Sequence, residues 1–83
     1  MFEEPYIKAW LKGDTQEMMV IRQTLAATEL YKKKDIDEMF ESFKKSYYKE
    51  EFQKSKDKDK VIREAIARGV FKSKAQAEGY FVK

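Results

Sequence analysis

The chain has 83 residues, contains no Cys and no His, and carries a net charge of +3, with 40% of its residues charged. This length predicts a single domain over residues 1–83, and the missing Cys and His exclude disulfides and a Cys- or His-ligated structural zinc site. The acidic start Met-Phe-Glu-Glu-Pro lacks the basic and then apolar pattern of a secretory signal, and no apolar run approaches the length of a membrane span. We therefore expect a cytoplasmic protein that makes no membrane contact.

The positive and negative charges are unevenly distributed along the chain. Residues 1–31 contain three Lys or Arg and five Asp or Glu, whereas residues 32–83 contain fifteen and ten. The basic C-terminal part favours a polyanionic partner, although lysines also keep small proteins soluble. Aromatic residues make up 14% of the chain, which indicates a folded core beneath a charged surface.

Two helices are predicted in the first part of the chain. Pro5 fits the first turn of a short helix that ends at Gly13. Asp14 and Glu17 have the spacing of a capping box, which opens a second helix that should reach about Lys33. An apolar stripe at helical spacing is formed by Met18, Ile21 and Leu25 and is widened by Ala26, Leu30 and Tyr31.

The third helix has the clearest amphipathic pattern. Asp35, followed three residues later by Glu38, is the predicted N-cap, and the helix should end near Gln53. Its apolar positions follow helical spacing: Ile36, Met39, Phe40, Phe43 and Tyr47. The second and third helices, each about 27 Å long, are predicted to form an antiparallel hairpin.

A shorter helical pair is predicted at the C-terminal end. Residues 54–60 contain no apolar side chain and should form a solvated loop or a fraying helix end. Helical spacing resumes at Val61, Gly69 offers a left-handed stop, and Ser73 with Gln76 opens a last helix through Phe81. The predicted fold is all-α: a small helical bundle built on an antiparallel hairpin of two long helices with a shorter C-terminal helical pair.

No residue pattern indicates catalysis. The nucleophiles and bases that enzymes use most often are missing with His and Cys, and the three glycines stand apart, so no phosphate-binding loop is expected. Acidic residues cluster at 35–38 and at 57–59, but their spacing does not fit a calcium loop and favours helix caps. We expect a non-enzymatic chain with no cofactor and no bound metal.

Residues 61–80 have the order helix, glycine turn, capped helix. With Ala65 and Gly69 at the characteristic spacing, this segment resembles a bacterial helix-turn-helix, and the phrase Gly-Val-Phe-Lys-Ser-Lys resembles the link between the helices of ribbon-helix-helix repressors. The helix-turn-helix resemblance implies that the start of the last helix reads bases and that basic residues before it hold phosphates. The implied DNA-binding residues are Lys58, Lys60, Arg63, Arg68, Lys72, Ser73, Lys74 and Gln76. Alternatively, residues 61–81 form a helical hairpin that only packs on the long helices.

The aromatic surplus suggests a protein partner instead. Tyr and Trp often anchor protein interfaces, so the candidate contact residues are Trp10, Tyr47, Tyr48 and Phe52. The alternative is that these rings thicken the core or are buried in a homodimer. In size and composition the chain is similar to short accessory proteins of phages and mobile elements. We therefore expect a regulator or inhibitor that binds a host or phage protein, with a DNA-binding regulator of double-stranded DNA as the alternative.

Overall fold

The computed structural model describes residues 2–82 and consists of α-helices joined by short connections. No β-strand occurs among these residues, and the predicted all-α class, a small helical bundle, is confirmed. Five helices follow one another along the chain: α1 Glu3–Lys12, α2 Thr15–Ala27, α3 Lys33–Lys54, α4 Lys58–Ala67 and α5 Lys74–Phe81. The chain forms two compact units, Met1–Phe43 and Lys44–Lys83, and α3 begins in the first and ends in the second. The prediction of one domain over residues 1–83 stays a prediction.

The first unit contains α1, α2 and the first half of α3. Its largest buried side chains come from all three helices: Tyr6, Ile7, Ile21, Leu25, Ile36 and Phe40. The rings of Tyr6 and Phe40 stack with 3.9 Å between their centroids. The backbones of α1 and α2 come close together, since Gly13 reverses the chain between them with a left-handed φ of 73°.

The second unit contains the second half of α3 together with α4 and α5. Its core is made of small, aliphatic and aromatic side chains: Tyr48, Val61, Ile62, Ala65, Val70, Phe71, Ala77 and Phe81. Phe81 meets the edge of Phe71 at 5.2 Å and stacks on Phe52 at 4.9 Å between centroids. The backbones of α4 and α5 approach each other closely, which makes this pair the frame of the second unit.

Most predicted helix caps are confirmed. The Asp14 carboxylate accepts the backbone N–H of Glu17 at 3.1 Å, and the Ser73 hydroxyl accepts the N–H of Gln76 at 3.2 Å. Gly69 has a left-handed φ of 78° after α4, and the next N–H, that of Val70, bonds to the Ala65 carbonyl at 3.0 Å. This is the Schellman arrangement that a C-terminal glycine allows.

The second helix is shorter than predicted. It ends at Ala27 instead of near Lys33, and the Thr28 hydroxyl then donates to the Leu25 carbonyl at 2.7 Å. Glu29 takes a left-handed φ of 60°, which stops the helix without a glycine. The predicted widening of the buried stripe is therefore wrong, because all three of the residues assigned to it are exposed: Ala26, Leu30 and Tyr31.

Two further boundaries differ from the prediction. α3 begins at Lys33, so Asp35 is not its N-cap but lies in the first turn, where its carboxylate accepts the N–H of Lys32 at 3.1 Å. The predicted polar loop over 54–60 is shorter, because Asp57 caps α4 by accepting the N–H of Lys60 at 3.1 Å. Helix α4 therefore starts at Lys58, within the charged segment.

Candidate functional site

The predicted DNA-binding residues all lie in the second unit and are all exposed. Lys58 and Lys60 are in the first turn of α4, Arg63 is farther along it, and Arg68 is its C-cap. The others surround the N-terminus of α5: Lys72, Ser73, Lys74 and Gln76. The structure therefore brings this set to two neighbouring helices and the connection between them.

Two of these side chains hold the start of α5. The Ser73 hydroxyl caps the helix, and the Gln76 side-chain oxygen accepts the N–H of Lys72 at 2.8 Å. The arrangement satisfies the N–H of Gln76, which the helix itself leaves without a partner, and the N–H of Lys72, which lies just before the cap. The acceptor atoms of Ser73 and Gln76 therefore have a structural role besides the predicted contact with bases.

Several basic groups have partners within the chain. The Lys74 ammonium lies 3.9 Å from Asp59 and 3.8 Å from Glu78. Arg68 lies 3.7 Å from Glu64. The Lys58 ammonium donates to the Phe52 carbonyl at 2.7 Å and sits 4.5 Å from the centroid of the Phe52 ring. Such exposed pairs are weak, so phosphates can compete for these cations.

The two compact units differ more in net charge than residues 1–31 and 32–83 do. Residues 1–43 contain six Lys or Arg and nine Asp or Glu, a net charge of −3, while residues 44–83 contain twelve and six, a net charge of +6. The second unit is thus strongly basic for its length. This is the electrostatic property expected of a polyanion-binding unit.

The predicted protein-binding residues are divided between the two units. Trp10 lies in the first unit, and the other three lie on the part of α3 in the second. Trp10, Tyr47 and Phe52 are half-buried, whereas Tyr48 is only 1% exposed. The prediction that Tyr48 contacts a partner is therefore wrong for the folded chain, because its ring is part of the core.

The environment of Tyr48 keeps its phenol protonated. Burial, reinforced by the nearby Glu64 carboxylate, raises the pKa of Tyr48 far above its ordinary value. The phenol also donates a long hydrogen bond of 3.4 Å to Glu64. Burial likewise raises the pKa of Tyr47, with Glu51 adding to the effect. At neutral pH both phenols therefore stay protonated and serve as structural groups.

A different surface, which the sequence reading missed, lies on α2. We define the outward α2 face as the exposed residues Gln16, Met19, Val20, Gln23 and Ala27. They alternate in steps of three and four residues and so share one side of the helix, opposite the buried Ile21 and Leu25. Met19 is 58% exposed and Val20 is 53% exposed.

The outward α2 face carries no charge. The only charged residues of α2 are Glu17 and Arg22, and neither belongs to the face. Arg22 makes a 2.6 Å ion pair with Asp37 and lies 5.2 Å from the centroid of the Phe40 ring. Arg22 is therefore held against α3, whereas Glu17, exposed in the first turn of α2 and three residues before Val20, borders the face.

Apolar exposure continues after the helix. Leu30 is 78% exposed and Tyr31 is also exposed in the connection between α2 and α3. The sequence signal for this surface is a second row of residues on α2, parallel to the buried stripe. Its members, spaced four, three and four residues apart, are all uncharged: Gln16, Val20, Gln23 and Ala27. An uncharged row of this kind is conspicuous in a chain that is 40% charged.

Comparison with known proteins found no matching family profile, no matching curated protein and no matching solved structure. The ribbon-helix-helix resemblance requires a strand ahead of α4. The residues ahead of α4 belong instead to α3, which is helical up to Lys54.

Other classes of site are limited by the side chains present. Within residues 2–82, no group of three acidic side chains comes together that could hold a metal ion. In the same described part of the chain, every helix is too short or too polar to cross a membrane. The outward α2 face and the basic α4–α5 pair are two candidate binding surfaces.

Proposed function

We propose that this chain is a small non-catalytic binding protein that acts through a protein partner, as a regulator or inhibitor of the kind that phages and mobile elements encode. The outward α2 face is the proposed contact surface. The supporting observation is that this face exposes Met19 and Val20 and carries no charge, in a chain that is 40% charged. We assign this function to the cytoplasm, in keeping with a chain without Cys.

The composition of the face fits the centre of a protein interface. Charged residues are depleted at interface cores, whereas Met is enriched there. Met19 and Val20 are each about half exposed, so covering the remaining surface would contribute about 1 kcal/mol per side chain. Gln16 and Gln23 add hydrogen-bonding groups above and below them. Because the side chains stand on a folded helix, little backbone entropy is lost on binding.

Affinity capture from cells that encode the chain tests this proposal. The wild-type chain should recover one protein at fixed stoichiometry, and Met19→Lys should abolish recovery because a charge would be buried in the contact. Val82→Lys is the matched control, since Val82 is also exposed, at 75%, but lies after α5. Circular dichroism should show unchanged helix content in both variants. Equal recovery by wild type and Met19→Lys would contradict the proposal.

A second candidate function is DNA binding by the basic second unit. The net charge of +6 over residues 44–83 favours it, and the α4–α5 pair presents the predicted residues on adjacent helices. Here the resemblance to helix-turn-helix regulators would apply, with Lys74 and Gln76 near base edges and Arg63 on phosphates.

Salt dependence tests this second function. Binding to duplex DNA should weaken steeply with salt, and replacing Lys58, Lys60 and Arg63 by Gln should reduce the log–log slope by about one per lost phosphate contact. A matched triple replacement in the acidic first unit, at Lys8, Lys12 and Lys32, should leave the slope unchanged. Absence of any retention on DNA at low salt would end this candidate.

A further inference from the structure

We infer that a second copy of this chain covers the outward α2 face when no other protein occupies it, with the two α2 helices antiparallel about a two-fold axis. This inference rests on the proposed function, because it names an occupant of the same face. It also implies regulation, since self-association and binding of a different protein would exclude each other.

The order of side chains along the face suits a two-fold arrangement. Gln16 and Gln23 flank Met19 and Val20, and Ala27 lies beyond them at the C-terminal end of α2. An axis through the midpoint between positions 19 and 20 places Gln16 opposite Gln23 of the second copy and Met19 opposite Val20 of the second copy. Side-chain amides are both donors and acceptors, so facing glutamines can bond to each other. A symmetric contact requires this kind of self-complementary surface.

The charge distribution allows a copy of the same chain to approach at this place. The first unit, which carries the face, has a net charge of −3, so the two first units repel each other when their α2 faces meet. The outward α2 face carries no charge, which allows close approach without facing like charges. Salt should therefore strengthen self-association by screening the remaining repulsion. DNA binding has the opposite salt dependence.

The size of the face predicts a weak dimer. Helix α2 has 13 residues and is therefore about 20 Å long. One face of such a helix offers less than the roughly 800 Å² per partner that stable complexes bury. The dimer should thus dissociate on dilution, which leaves the face open to a different protein.

Sedimentation velocity of the purified chain over a wide concentration range tests the inference. We expect a reversible monomer–dimer equilibrium that shifts toward dimer at higher salt. Met19→Lys should weaken the dimer at least about tenfold, a change of about 1.4 kcal/mol, while Val82→Lys should not. A chain that stays monomeric at all concentrations, with its helix content intact, would overturn the inference.

Paired charge variants test the direction of the helices. Gln16→Glu with Gln23→Lys places opposite charges face to face in the antiparallel arrangement but like charges face to face in a parallel one. Gln16→Lys with Gln23→Lys places like charges together in both. We expect the Glu/Lys variant to dimerise at least about tenfold more tightly than the Lys/Lys variant. Equal weakening by both would overturn the antiparallel arrangement.

The outcomes separate this inference from the proposed function. A strictly monomeric chain that still captures another protein through Met19 overturns the self-association and leaves the proposed function standing. A dimer that depends on Met19, with no other protein captured, supports the inference and counts against the proposed function.

Discussion

Replacing Tyr48 and Tyr47 separately by Ala should produce very different losses of stability. The two residues are adjacent on α3 and chemically identical, but Tyr48 is 1% exposed and Tyr47 is half-buried. Removing a buried aromatic side chain lowers the free energy of unfolding by about 3–5 kcal/mol. For Tyr47, where part of the ring already contacts water, we expect about 1–2 kcal/mol.

These magnitudes are large relative to the stability of so small a chain. A protein of this size has a free energy of unfolding of about 4–12 kcal/mol, so Tyr48→Ala removes a large part of it. The difference between the variants, about 2 kcal/mol, corresponds to about 8–16 °C in Tm. Urea and thermal unfolding followed by circular dichroism at 222 nm measure both quantities. Equal losses for the two variants would refute the assignment of Tyr48 to the core.

Three other predictions follow from the same contacts. Ser73→Ala should lower the free energy of unfolding by about 1 kcal/mol through loss of the N-cap of α5, measured by urea unfolding. Ser42→Ala, at an exposed position within α3, is the control and should leave the urea midpoint nearly unchanged. The free energy of unfolding should fall as the pH rises above about 10, because tyrosine ionises there in the unfolded chain while the raised pKa of Tyr48 keeps it protonated in the folded one. Tyr48→Phe should reduce this alkaline loss of Tm. An unchanged loss in that variant would contradict the assignment to Tyr48. Gly69→Ala should cost about 1 kcal/mol, because its φ of 78° disfavours a side chain; an unchanged urea midpoint would contradict this.

Local rules predicted most of the fold. The caps at Asp14 and Ser73 and the glycine stops at Gly13 and Gly69 depend on hydrogen bonds within a few residues of sequence. The end of α2 could not be predicted in this way, because the left-handed residue there is Glu29 rather than a glycine. Glu29 is exposed, and its N–H bonds to the Ala26 carbonyl while the Thr28 hydroxyl bonds to that of Leu25, a local arrangement that helix propensity does not encode.

The buried side of α3 was predicted only in part. Ile36 and Phe40 are buried as expected, but the next large buried side chain is Tyr48 rather than Tyr47. Position 48 continues the four-residue spacing of Ile36 and Phe40, whereas position 47 belongs to the row through Phe43. Helical periodicity allows both rows, and only the core of the second unit selects one.

The two candidate surfaces were unequally accessible to sequence reasoning. The basic residues of α4 and α5 were found because lysines in a capped helical pair form a recognisable pattern. The outward α2 face was missed because only the row through Met18, Ile21 and Leu25 was considered, and Met19 and Val20 were assigned no role. The lack of charge on this face is visible in the sequence, but its exposure is known only from the structure.

Photo-crosslinking in cells that encode the chain tests the central claim most directly. A photoreactive residue in place of Val20 reports whatever covers the outward α2 face, and the same residue in place of Val82 is the control. We expect adducts from position 20, to a second copy of the chain or to another protein, and none of comparable yield from position 82. No adduct from position 20, or equal yields from both positions, would contradict the claim that this face is the binding surface.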